Sequence, residues 1–238
     1  KPLLNNNLIR LGSFNDGGYL VCKDDIYDSD LLLSFGINDD WNFEKKLLEI
    51  KNLNCYAFDG SLSNKFWIKK FLVSLSRLKL YNLKKYIEFK KFFKNKKVFI
   101  KKYVSNLQND NHITLSNILD NFCSGYNKIF LKIDIEGSEY RILDELIKNS
   151  HRFSSLVIEF HDTDLNFHKI EKFINNFSLK VIHVHANNYA ETNFALNPTA
   201  IEVTFSNNYI KELIQNLPNN LDNPNDKFNS DYKIEFSN

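Results

Sequence analysis

The chain of 238 residues contains no methionine, three cysteines, four prolines and seven glycines. Each shortage narrows the possibilities. Cys22, Cys55 and Cys123 cannot all pair with one another and form no C-x-x-C unit, so a disulfide framework is not expected and a reducing, cytoplasmic setting is. With so little glycine and proline there is no room for long flexible linkers. A single domain over 1–238 is expected, with residues 1–30 as an N-terminal hairpin extension. The apolar runs are short and broken by charge, which predicts neither a membrane span nor a signal peptide. The missing methionine, with Lys1 first, leads to the expectation of a natural start further upstream. An excess of one charge is lacking too. The 31 basic and 29 acidic side chains leave a formal net charge of +2, so no global field draws the chain to nucleic acid and no such partner is expected.

What the sequence has is a series of short apolar runs separated by helical patterns. Leu31–Phe35 (LLLSF) ends at Gly36; Phe43, Leu47 and Ile50 then follow at helical spacing after a cap at Asp39 or Asp40. Cys55–Phe58 is a second strand, closed by Asp59-Gly60. Helical spacing returns over Lys65–Phe93, with Phe66, Leu72, Leu75, Leu78 and Leu83 among lysines, before a third strand at Val98–Val104 and a short helix at 114–122. Ile129–Ile135 is the fourth strand; after it Ile142, Leu143, Leu146 and Ile147 make one helical stripe, with Ser138 as N-cap. Leu156–Phe160 is the fifth, followed by a helix carrying Ile170, Phe173, Ile174 and Phe177. Lys180–Val184 and Ala200–Phe205 have no helix between them and can pair antiparallel. Ile9–Val21, with Asn15-Asp16-Gly17-Gly18 at its centre, reads as a β-hairpin, and Asn219–Asn229 as loop. The fold class expected is α/β: a doubly wound, Rossmann-like sheet, mostly parallel, with an antiparallel last strand.

In such a sheet ligands bind beyond the carboxyl ends of the strands, where strand order reverses. The residues there are Gly36 with Asn38, Asp39 and Asp40; Asp59 with Gly60 and Ser61; Ser105; Asp134 with Glu136; His161 with Asp162; and His185 with Asn187 and Asn188. Asp59 stands where a carboxylate accepts both hydroxyls of a ribose, or else is a turn aspartate before glycine. Gly36 lets a ligand approach the backbone, although the full G-x-G-x-x-G fingerprint is absent. Asp134 and Glu136 share parity at a strand end, so both carboxylates are expected to face one cavity. If the fourth and fifth strands are neighbours, Asp134, His161 and Asp162 come within reach of one divalent ion, or form an acid/base pair. Glu159 is two residues earlier on the same side. His183 and His185 share a side of the sixth strand, His185 nearer the site and His183 packed in the core.

The lysines from Lys84 to Lys102 are interleaved with Tyr86, Phe89, Phe92 and Phe93. Such a run reads as a solvated helix with its apolar residues inward; the alternative is a phosphate-bearing or nucleic-acid partner.

LKIDIEGSEYRIL (Leu131 to Leu143) resembles the central motif of FkbM-type methyltransferases that use S-adenosylmethionine (SAM). LLSFGINDDWNFE (Leu32 to Glu44), NDGGYLV (Asn15 to Val21) and VHANNY (Val184 to Tyr189) are similar to a bacterial branch of that family, so the likeness runs from about residue 9 to residue 205. The resemblance implies a class I methyltransferase sheet, which carries its antiparallel seventh strand beside the fifth. It also implies O-methylation of a sugar or nucleotide-activated sugar, in capsule or other cell-surface polysaccharide biosynthesis. By position, Phe35, Gly36 and Asn38 would lie beside the methionine part of SAM, Asp59 with Gly60 and Ser61 by its ribose, and Ser105 by its adenine. Asp134 and Glu136 would stand at the methyl-transfer end. Phe35-Gly36-Ile37-Asn38 replaces the glycine-rich turn of the wider superfamily, so Asn15, Asp16 and Gly17 are expected to help hold the SAM carboxylate. His161 or His185 would serve as general base, or Mg²⁺ or Mn²⁺ on Asp134, His161 and Asp162 would acidify the sugar hydroxyl. The rivals are an NAD-dependent oxidoreductase, a non-catalytic sugar-binding module and, on the lysine run alone, a nucleic-acid methyltransferase.

Overall fold

A computed structural model describes residues 1–76 and 81–234. The chain opens with β1 (Leu3–Leu4), β2 (Leu8–Gly12), β3 (Gly18–Cys22), α1 (Lys23–Asp28), β4 (Leu31–Phe35), α2 (Asn42–Ile50) and β5 (Asn54–Phe58). Then come α3 (Asn64–Ser76), α4 (Tyr81–Phe92), β6 (Lys97–Ile100), β7 (Tyr103–Val104), β8 (His112–Ile113), α5 (Leu115–Phe122) and β9 (Ile129–Ile133). The last elements are α6 (Leu143–Lys148), β10 (Phe153–Phe160), α7 (Thr163–Asn176), β11 (Lys180–Ala186), β12 (Ile201–Ser206) and β13 (Ile210–Ile214).

Seven strands form the central sheet in the order β11-β12-β10-β9-β4-β5-β6. All run parallel except β12, which lies antiparallel between β10 and β11. The seventh strand of the sheet is therefore beside the fifth, the ending expected of a class I methyltransferase sheet. Strand order reverses at β4, which has β5 on one side and β9 on the other. A crevice opens at that point beyond the carboxyl ends.

Side-chain alternation assigns the two faces. Leu31, Leu33 and Phe35 of β4, Ile129, Leu131 and Ile133 of β9, and Leu156, Ile158 and Phe160 of β10 share one core with α5, α6 and α7. Leu32, Phe130 and Val157 face the other way, against Tyr19 and Val21 of the β2–β3 hairpin and Phe43 and Leu47 of α2. On this second face the same alternation turns polar toward the carboxyl ends. Ser34 pairs in register with Lys132, and Glu159 with Glu202, all of them buried. Apolar rows hold the sheet, and the polar rows beyond them furnish the crevice.

Several local expectations change. The third strand ends at Ile100, because Lys101-Lys102 interrupts the apolar run; Tyr103 and Val104 pair instead with His112 and Ile113. The helical pattern over Lys65–Phe93 is two helices, and Leu78 lies outside the described residues. Ser138 makes no capping bond with its side chain, since a 3₁₀ turn at Glu139–Arg141 precedes α6. By contrast Thr114 caps α5 through its Oγ1, an interaction worth about 1 kcal/mol. The pairing of β1 with β13 has no counterpart in the sequence reading.

Candidate active site

Four loops meet over the β4/β9 crevice and enclose a cavity of about 310 Å³, within the range of small-molecule sites. Gly36 to Asp40 follow β4, Asp59 to Ser61 follow β5, Lys102 to Val104 surround β7, and Asp134 to Glu136 follow β9; Asp16 and Gly17 of the hairpin turn complete it.

At Gly36 the chain leaving β4 lies directly against the chain leaving β9. Its φ is +72°, and an added Cβ would stand 1.6 Å from the Asp134 carbonyl oxygen, so no other residue fits without moving one strand end. Its amide donates to the Phe58 carbonyl, and its carbonyl accepts from Lys132 Nζ at 2.7 Å. Gly60 is bare for another reason: a Cβ there would come 2.3 Å from the Tyr103 ring, which lies against it.

Asp59 is buried, and its two oxygens take four donors. Oδ2 accepts from the amides of Ile37 and Asn38 at 3.1 and 2.8 Å, and Oδ1 from the amide and hydroxyl of Ser61 at 2.7 and 2.6 Å. The carboxylate thus ties the β4 loop to the β5 loop. Asp59→Asn replaces an acceptor by a donor facing one of those amides. We expect the cavity wall to loosen and stability, read by thermal melts, to fall by about 1–3 kcal/mol.

At the other end stands a buried cation that the sequence reading passed over. Lys132 has the parity of Asp134 on β9; its Nζ is 3.7 Å from Asp134 Oδ2 and sits over the Tyr19 ring. Burial lowers its basicity, but Asp134, Glu44 and Glu159 outweigh burial and raise the pKa above the usual lysine value. Tyr19 Oη lies 3.1 Å from Asp134 Oδ2 and 3.2 Å from Glu159 Oε2. The Tyr19 hydroxyl is thus placed to donate to either carboxylate. Burial, then the charges of Asp134 and Glu202, push the Glu159 pKa well up.

Asp134, Glu136 and His161 each bring one ligand atom within 4.8 Å of the others. Glu136 reaches this position through a left-handed backbone, φ 53°, rather than by extended parity. His161 is held from behind: the buried Glu139 carboxylate bonds Nδ1 at 2.6 Å, leaving Nε2 at 3.5 Å from Glu136. Burial lowers the His161 pKa, yet the Glu139 hydrogen bond and the charges of Glu159 and Glu139 together lift it to about 9.

Other expected residues lie elsewhere. Asp162, offered as a metal ligand, is not in this group; it takes a left-handed conformation (φ 47°) at the head of α7 and its carbonyl accepts from Leu165. Ser105 is buried beneath the cavity with its Oγ accepting from the Leu107 amide, and Tyr103 lines the cavity in its place. Phe35 is core, and Asn15 turns away to donate to the Pro224 carbonyl. Asn38, Gly60, Ser61, Asp16 and Gly17 do line the cavity.

His185 is the largest departure. β12 and β10 separate its strand from β9, about 14 Å of sheet at the usual strand spacing. Both ring nitrogens are engaged, Nδ1 with Glu202 at 3.2 Å and Nε2 with Asp231 at 3.0 Å. Burial lowers its pKa, but the two carboxylates more than reverse that and raise it to about 10, which leaves it a charged clamp rather than a base. Along with His183 on Asp222, it fastens the C-terminal segment to β11. Because the folded pKa is raised, this stabilisation is complete below the unfolded value of 6.5 and is lost progressively as pH rises to about 10. We expect His185→Gln to cost about 3 kcal/mol at neutral pH and to lower the melting temperature by roughly 6–12 °C. Thermal melts across that pH range should show the parent converging on the variant.

A model of the methyltransferase FkbM domain family matches residues 82–222, more than half of the chain. No curated protein matches it. Among solved structures, an rRNA methylase from Streptococcus thermophilus is similar over 77% of this chain and 92% of its own, at 9% identity and a TM-score of 0.41. A precorrin-6y C5,15-methyltransferase from Geobacter metallireducens covers 77% and 84%, at 13% identity and a TM-score of 0.36. At those scores neither likeness adds to what the strand order says.

Proposed function

The chain belongs to the FkbM methyltransferase domain family, and from that premise we propose that it transfers the methyl group of SAM to a hydroxyl of a sugar or nucleotide-activated sugar. The observation that carries this reading is the cavity at the β4/β9 switch point. A bare backbone at Gly36 stands at one wall, and acid, lysine and imidazole groups converge where Asp134 emerges.

The residues present fit SAM. Asp16, Gly36 and Asn38 line the wall open to the methionine part, the Asp59-braced loops flank the ribose, and the Tyr103 ring offers a face for the adenine. When bound, SAM supplies a methyl already attached to a good leaving group. The protein's task is then to orient the acceptor oxygen and receive its proton. Asp134 Oδ2, held by Tyr19 and polarised by Lys132, accepts the hydroxyl proton. Lys132 Nζ sets a positive charge 3.7 Å from that oxygen.

The donor set also fits a divalent ion. Asp134, Glu136 and His161 Nε2 would hold it, and the Glu139 bond to Nδ1 fixes the imidazole tautomer that such a role requires. The ion would supply Lewis acidity toward the acceptor hydroxyl. The test is methyl transfer from labelled SAM to a panel of nucleotide-activated sugars, with and without Mn²⁺ or Mg²⁺. Transfer to one of them supports the reading. Transfer to none, with the same enzyme methylating a non-sugar acceptor, overturns it.

A further inference from the structure

The lysine-rich helices α3 and α4 carry apolar side chains on two faces, not one. Inward, Trp67 and Phe89 pack on each other and Phe89 on Trp41. Outward, Ile68, Leu72, Leu83 and Ile87 stand exposed, the first two at 57% each. Ile68, Phe71 and Leu83 border one groove between the helices, of about 400 Å³. These aliphatic residues share helical stripes with exposed lysines: Lys65, Ile68 and Leu72 on α3, and Lys84, Ile87 and Lys91 on α4.

Charge is segregated in the same place. Residues 61–109 contain thirteen lysines, Arg77 and one acid, Glu88, whereas the rest of the chain has 17 basic and 28 acidic side chains. The near-neutral total conceals a strongly basic segment on an acidic protein. Lys70 and Lys85 are paired with Asp39 at the cavity rim and Lys84 with the exposed Glu88 at 4.0 Å, while Lys65, Lys69 and Lys91 also face solvent.

We propose that the outer face of α3 and α4 docks on an anionic lipid bilayer, lying on the surface without crossing it. No helix among the described residues is long and apolar enough to span a membrane. An amphipathic face binds a bilayer by burying its aliphatic residues at the headgroup boundary while lysines extend to lipid phosphates. The alternative occupant, single-stranded nucleic acid, needs exposed aromatic rings for stacking. Here Trp67 and Phe89 are turned inward, and outward the aliphatic Ile68, Leu72, Leu83 and Ile87, which gain nothing from phosphate or base, outnumber the exposed rings of Phe71 and Tyr81. Tyr81, 65% exposed at the start of α4, suits the headgroup layer with its apolar ring and polar hydroxyl.

The test is co-sedimentation of the full chain with vesicles of phosphatidylcholine alone and of phosphatidylcholine mixed with phosphatidylglycerol, at low and high salt. Binding is expected to the anionic vesicles and to weaken with salt. The exposed-site variants Ile68→Asn/Leu72→Asn and Lys65→Glu/Lys69→Glu should each weaken it about tenfold with unchanged melting temperature. Absence of binding to anionic vesicles overturns the proposal, as does parent-like binding by the Ile68/Leu72 variant. A single-stranded RNA probe, retained by the Ile68/Leu72 variant and lost by the Lys65/Lys69 variant, would overturn it in favour of nucleic acid. None of these outcomes depends on which hydroxyl is methylated.

Discussion

Asp134→Asn is expected to lower methyl transfer about a thousandfold while leaving the fold and S-adenosylhomocysteine affinity close to those of the parent. The side chain is the same size, and its oxygen still accepts from Tyr19 Oη. What disappears is the negative charge, and with it the proton acceptor beside Lys132 Nζ. The Asp134 side chain is only about a quarter exposed, so water replaces that function poorly. Turnover measured with an accepting sugar at saturating SAM reads the effect on kcat. Parent-like kcat would remove Asp134 from the mechanism, whatever the metal requirement.

Gly36→Ala should abolish S-adenosylhomocysteine binding, by at least about a hundredfold, and lower stability by about 3 kcal/mol. Two physical costs add at this residue. A φ of +72° is strained for alanine, and the new methyl would overlap the Asp134 carbonyl oxygen at 1.6 Å. Relief requires β4 and β9 to part at their carboxyl ends. That movement would break the Lys132 bond to the Gly36 carbonyl and the bond from the Asp134 amide to the Phe35 carbonyl. Calorimetry on the folded variant, with its thermal melt alongside, separates loss of the site from loss of the protein. Parent-like affinity in a folded variant would contradict the placement of the cofactor against Gly36.

Much of the sheet was legible because its strands are buried on both faces, which writes them as continuous apolar runs such as LLLSF and IFLKI. The short pairing of β1 with β13 was not, since β13 is exposed throughout and has no apolar alternation to read. At the site, the strand-end rule drew attention to Asp134, Glu136 and His161 because loop positions after neighbouring parallel strands must converge. It failed for His185, where the residue type and the strand end were right but an edge strand carried it away from the crevice. It failed for Asp162, one residue beyond His161, because a single left-handed residue redirects the chain into α7. Lys132 escaped notice inside a hydrophobic run. Its signal was parity: it lies two residues before Asp134 on the face where Ser34 and Glu159 are also polar and buried.

The central claim, that the cavity over β4 and β9 binds SAM, is tested most directly by calorimetric titration of the purified chain with S-adenosylhomocysteine, with and without Mn²⁺ or Mg²⁺. The account predicts saturable one-to-one binding that Gly36→Ala abolishes and Asp134→Asn preserves. A folded sample that gives no heat of binding in either buffer, yet titrates with NAD, would contradict it and favour hydride transfer at the same strand ends.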